Sequence, residues 1–107
     1  MVDQSSLVSQ AFKVFAQEAP EHAAAWAAAV RGLGGASALD PKTSALAYLS
    51  VLAVQRLQGG VAFHVRAAKD AGASRAEVIS AILVGLPAAG NCVTEVLPAA
   101  MAAYDAD

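Results

Sequence analysis

An all-α fold, a single domain of about six helices, is predicted by three observations. The apolar fraction is 57%, above the roughly 45–50% usual in soluble domains. Nearly all of the excess is alanine, the best helix former and an easily buried residue. The chain is poor in strand-forming patterns, and only 6% of it is aromatic. Prolines, glycines and capping residues recur often enough to section it into helices. At 107 residues, the whole chain (1–107) reads as one domain.

The elements follow in order. A first helix is expected from about Ser5 to Ala19, where Leu7, Val8, Ala11, Phe12, Val14 and Phe15 form an apolar stripe at helical spacing. Pro20 stops it and suits the first turn of a second helix, Glu21 to about Arg31. "GLGGASAL" reads as a loop. Asp40 is a natural N-cap and Pro41 a natural first residue for a third helix reaching about Gln58, where Gly59 and Gly60 interrupt it. A fourth helix covers about Val61 to Asp70 and ends at Gly72. Ser74 and Glu77 have the spacing of a capping box before "VISAILVGL", the fifth helix, which Pro87 and Gly90 break. The last helix covers about Cys92 to Tyr104, with a bend expected at Pro98.

Composition narrows the function. Seven basic and nine acidic residues are scattered rather than clustered, so no basic stripe suits a phosphate backbone and nucleic acid is not an expected partner. "MVDQSSLVSQ" has neither a basic nor an apolar leader region. The longest apolar run, Ala45 to Val54, has about half the length a bilayer span needs, so no membrane is expected. One cysteine, Cys92, excludes an internal disulfide and fits a reducing, cytoplasmic compartment. His22 and His64 fall on separate helices and no ligand cluster has metal spacing, so neither metal nor cofactor is expected. Because Ala45–Val54 is apolar nearly all round, as only a helix covered on every side should be, the chain is expected to be a homo-oligomer with closed symmetry.

His64 is the leading site candidate. At 100° per residue, Leu57, Gly60, Val61, Ala67, Ala68 and Ala71 lie within about 60° of it, provided the helix continues through the glycines. Arg66, Lys69 and Asp70 point away, toward solvent. His64 is therefore expected on the buried face, with Gly60 one turn before it leaving open space beside the ring. A half-buried imidazole has a neutral form suited to proton transfer near neutral pH. The plainer reading is a core histidine that donates one hydrogen bond to a carbonyl, beside glycines that merely let helices approach.

The run "LDPKTSALAYLSVLAVQRLQGGVAFHVRAAKDAGASRAEVISAILVGLPAAGN", about Leu39 to Asn91, resembles the carboxymuconolactone decarboxylase and alkylhydroperoxidase D-like family. Its most recognisable part is "AFHVRAAKDAGASRAEV", the histidine helix, Ala-Gly turn and next helix start. The resemblance implies an all-helical fold working as a trimer or hexamer. It also implies what is missing. Redox members carry a cysteine pair seven and four residues before the histidine, where this chain has Leu57 and Gly60, and a glutamate where it has Ala45. Leucine and glycine can neither attack a peroxide nor resolve a sulfenic acid. Decarboxylase members lack that pair too, but read Glu-Gly-Glu where this chain has Gln58, Gly59 and Gly60, and carry an arginine where it has Ser44.

Three functions follow. The first is a small-molecule enzyme of the decarboxylase kind, in which His64 moves a proton at carbon beside a carbonyl. Gly60 and Leu57 would shape its pocket, and Tyr48, Ser44 or Gln58 would orient the substrate. The second is a non-catalytic oligomeric module that binds a small-molecule ligand. The third is a peroxidase-like antioxidant acting through Cys92, a residue that also reads as a small buried apolar side chain.

Overall fold

A computed structural model describes residues 7–106. Among them there is no strand, and six helices of nine residues or more carry the fold, joined by two shorter helical segments. The elements are α1 (Gln10–Glu18), α2 (Pro20–Ala36), α3 (Pro41–Val54), α4 (Gln58–Asp70), α5 (Arg75–Leu83), the single turn α6 (Leu86–Ala89), a 3-10 segment (Asn91–Val96) and α7 (Leu97–Asp105). The expected start of the first helix at Ser5 lies outside the described residues. α1 itself begins after Ser9, whose hydroxyl accepts from the Phe12 amide at 3.1 Å.

Capping rules placed two other starts correctly. The Asp40 carboxylate accepts from the Thr43 amide at 2.7 Å, and Pro41 follows as the first residue of α3. At α5 the capping box is complete: the Glu77 amide donates to the Ser74 hydroxyl at 3.0 Å, and the Ser74 amide donates to the Glu77 carboxylate at 2.9 Å.

Several boundaries differ from expectation. α2 runs through Gly32, Gly34 and Gly35 to Ala36 instead of ending near Arg31. A long alanine run propagates the helix, and each exposed glycine costs only about 1 kcal/mol. α3 stops at Val54 rather than Gln58. Arg56 adopts φ 57°, its amide donates to the Ala53 carbonyl at 3.2 Å, and the Leu57 amide donates to Leu52 at 3.0 Å. This is the pairing of a Schellman stop, built on an arginine where glycine is usual. α4 ends on the same motif with the expected residue: Gly72 has φ 99°, its amide donates to Lys69, and the Ala73 amide donates to Ala68. At the C-terminal end, the expected helix from Cys92 begins as a 3-10 segment and becomes α-helical only at Leu97, with Pro98 in the first turn of α7.

The core is drawn from α3, α4, α5, the 3-10 segment and α7. Leu49, Leu52, Val61, Val65, Val78, Ile82, Val93, Val96 and Ala100 form its centre. Ser50 ties α3 to α5 by donating to the Ala81 carbonyl at 2.7 Å. Arg66 and Lys69, expected at the solvent face, instead donate to the Ala106 and Tyr104 carbonyls, each at 2.7 Å. Two cations thus satisfy carbonyls at the end of α7, where no later turn can do so. The Tyr104 hydroxyl donates to Ala73 at 2.9 Å, so α4 and α7 are laced together. The hairpin of α1 and α2 packs against itself, and neither helix has a buried residue.

Candidate active site

The Schellman stop at Arg56 turns the chain so that α4 starts at Gln58 and runs through both glycines without a break. The glycines meet different neighbours. A Cβ on Gly59 would stand 3.4 Å from the Ser9 Cβ, and one on Gly60 would stand 4.0 Å from Leu52 Cδ2. The space beside Gly60 is therefore bounded by Leu52.

The buried face of α4 is Val61, Val65 and Ala68, all fully buried. Its centre lies about 70° from His64 around the helix. His64 occupies the flank and is half-buried, not central as expected, while Ala67 and Leu57 are exposed. The ring stacks on Tyr48 of α3, with centroids 4.3 Å apart and planes inclined at 30°. Phe63 meets it edge-on at 5.3 Å and 73°. Two aromatic neighbours fix the plane of the imidazole and hold most water off its faces.

Electrostatically the site is quiet. Burial alone pushes the His64 pKa below its ordinary value, because the charged form loses solvation there with no carboxylate in compensation. The neutral imidazole is thereby favoured near pH 7. No buried side-chain nitrogen or oxygen among the described residues lacks a partner. His64 makes no hydrogen bond to another described residue. That departs from the plainer expectation of a histidine tied to a backbone carbonyl.

Of the residues proposed from sequence, Tyr48 and His64 are brought into contact. Ser44 lies one turn before Tyr48 on α3 and is exposed. Gln58 opens α4 and Leu57 precedes it, both exposed. Phe63 was missed: as the residue just before His64 it points about 100° away by helix geometry, and only the breadth of the two rings brings them together. Lys42 and Arg56 make exposed ion pairs, with Glu77 at 2.9 Å and with Glu95 at 3.4 Å. Cys92 is half-buried against the core, and its thiol donates to the Ala89 carbonyl at 3.3 Å. No group of three His, Cys, Asp or Glu among the described residues could hold a metal ion, and none of the described helices is long and apolar enough to cross a membrane.

Sequence reasoning also missed two clefts. An open groove of about 510 Å³ runs between α3 and α5, bordered by Leu46, Ala47, Ser50, Ser80, Ala81 and Val84. A second cleft, of about 440 Å³, lies in the hairpin beside Phe15, His22 and Trp26. The groove is bordered largely by alanines and small polar residues, which carry no motif, and the residues of the second cleft read from sequence only as parts of two helices.

No curated protein and no solved structure matches the chain. A family model described as the carboxymuconolactone decarboxylase family matches residues 20–106. The match extends beyond the run around His64 to α2 at one end and α7 at the other. Covering most of the chain, it establishes that this all-helical protein belongs to the carboxymuconolactone decarboxylase family.

Proposed function

We propose that the protein is a small-molecule lyase or related acid/base enzyme, in which His64 transfers a proton without dithiol chemistry. The supporting observation is an imidazole in contact with Tyr48 and Phe63, its neutral form favoured by burial, with no hydrogen bond to another described residue. In that state the ring can accept a proton from carbon beside a carbonyl and, once charged, return it to carbon. In a decarboxylation, carbon dioxide leaves its electron pair on that carbon, and the ring, protonated from solvent, donates the net proton that the new C–H bond requires. Tyr48 orients the imidazole, while Ser44 and Gln58 have lesser claims as hydrogen-bonding groups for the substrate. Leu57 and Gly60 stand where a peroxidase of this family would need thiols. We take the working form to be a cytoplasmic homo-oligomer.

The test is turnover of carboxylated lactones and β-keto acids by the protein and by His64→Gln. A general acid/base role predicts a fall of about 10²–10⁴-fold in kcat with the fold intact. Unchanged turnover in His64→Gln would remove His64 from the chemistry. A protein that binds these compounds but converts none would favour the non-catalytic reading, which the lack of a charged partner for His64 among the described residues supports. For the thiol route, alkylation of Cys92 should leave peroxide consumption unaffected, since its thiol is half-buried and engaged with Ala89.

A further inference from the structure

The chain has seven lysines and arginines, and all of them fall among the described residues. Five are engaged with other groups. Lys42 pairs with Glu77 at 2.9 Å, Arg56 with Glu95 at 3.4 Å and Arg75 with Asp105 at 2.9 Å. Arg66 and Lys69, on the histidine helix itself, donate to the Ala106 and Tyr104 carbonyls, each at 2.7 Å. The other two, Lys13 and Arg31, are exposed on the α1–α2 hairpin, which adds nothing to the described core. The backbone offers little in their place. At the start of α4 the Gln58 amide donates to the Arg56 carbonyl at 3.0 Å and the Gly60 amide to the Leu57 carbonyl at 3.1 Å. Two of the first three amides, the usual holders of an anion at a helix start, are therefore already spent.

What meets the imidazole is aromatic. Tyr48 and Phe63 contact the ring and keep 49% and 39% of their own surface exposed, so a flat, apolar part of a ligand can lie against them. Burial is the single cause of the lowered His64 pKa, which means that no charged side chain acts on the ring. A carboxylate that stayed intact here would lose water and gain no counter-charge. We infer that the substrate taken at His64 is uncharged, apart from a carboxylate that leaves as carbon dioxide. The inference rests on the acid/base reading above and narrows its substrate class to neutral carbonyl compounds and mono-acids. In the mono-acid case the bond from carbon to the carboxylate breaks and carbon dioxide departs without charge. The electron pair stays on the carbon beside the carbonyl, and a proton from His64 completes the C–H bond. A second carboxylate would keep its charge throughout.

The experiment compares benzoylacetate with its para-carboxy derivative, two β-keto acids that share a reacting centre and differ by one carboxylate that survives the reaction. Decarboxylation is followed against the spontaneous rate. The surviving carboxylate should lower kcat/KM by about tenfold or more, the effect of desolvating a charge that finds no partner. Ser44→Lys sets an ammonium one turn before Tyr48 on the same side of α3, and Ser44→Met is its uncharged counterpart, with circular dichroism checking both folds. Lysine should narrow the gap between the two compounds severalfold relative to methionine. A ratio equal in the two variants overturns charge as its cause. Equal or faster His64-dependent turnover of the dicarboxylate by the unaltered protein overturns the inference and leaves the acid/base reading standing. Turnover of neither compound, or turnover that His64→Gln retains, overturns both. Should neither Ser44 variant fold, the ratio in the unaltered protein decides alone.

Discussion

Replacing Gly60 by alanine is the sharpest test of how the histidine helix is packed. Gly60 is the third residue of α4, and its amide donates to the Leu57 carbonyl at 3.1 Å. An added methyl meets only Leu52 Cδ2, at 4.0 Å, which is ordinary van der Waals contact. No clash offsets the helix-forming gain of alanine over glycine, about 0.5–1 kcal/mol. For 107 residues the entropy of unfolding near the midpoint is about 0.22 kcal/mol/K, so Gly60→Ala should raise Tm by about 2–4 °C. Gly59→Ala is the internal control. Its methyl would meet the Ser9 Cβ at 3.4 Å, the near limit of ordinary contact, so its gain should be no larger. Thermal unfolding followed by circular dichroism measures both. If Gly60→Ala lowers Tm, the contact with Leu52 is not what bounds this position, and the packing argument fails. The same variant probes the pocket: turnover lost from a stabilised protein would place substrate against residue 60.

Two other outcomes follow from single groups. Arg56→Gly removes the cost of holding a side chain at φ 57° and sacrifices only an exposed pair with Glu95, so stability should stay level or rise by up to about 1 kcal/mol; urea unfolding that shows a larger loss would contradict the Schellman reading. The His64 pKa lies below its ordinary 6.5, so between the two values the unfolded chain binds more protons than the folded one. Stability should therefore fall as pH drops from 6.5 toward the lowered value, and His64→Phe should flatten that segment. The losses tied to Asp40, Glu77 and Asp105, whose hydrogen bonds hold their pKa values down, come at more acid pH.

The sequence revealed most where short-range chemistry decides. Asp40, Pro41, Ser74, Glu77 and Gly72 each act within a turn of themselves, and each behaves as its residue type dictates. It misled where a local signal was outvoted. The glycines of α2 look like a loop, but an exposed alanine helix tolerates them. The Gly59–Gly60 pair looks like a break, but the chain turns at Arg56, a residue type that gives no warning of positive φ. His64 sits on the flank of the buried face instead of its centre because the core side of α4 is set by Val61, Val65 and Ala68, and which side faces the core depends on tertiary packing. Tyr48 was named only as one of three groups able to orient a substrate. The stack itself was not legible, since it depends on how α3 and α4 cross.

The last turn of α7 has a practical consequence. Lys69 and Arg66 grip the carbonyls of Tyr104 and Ala106, and these cations sit five and two residues beyond His64 on one rigid rod. Whatever is spliced onto the end of α7 therefore pulls on the imidazole's own support. Purification handles and fluorescent fusions belong at the other end of the molecule, and an apparently inactive preparation carrying a C-terminal tag should be remade before its chemistry is judged.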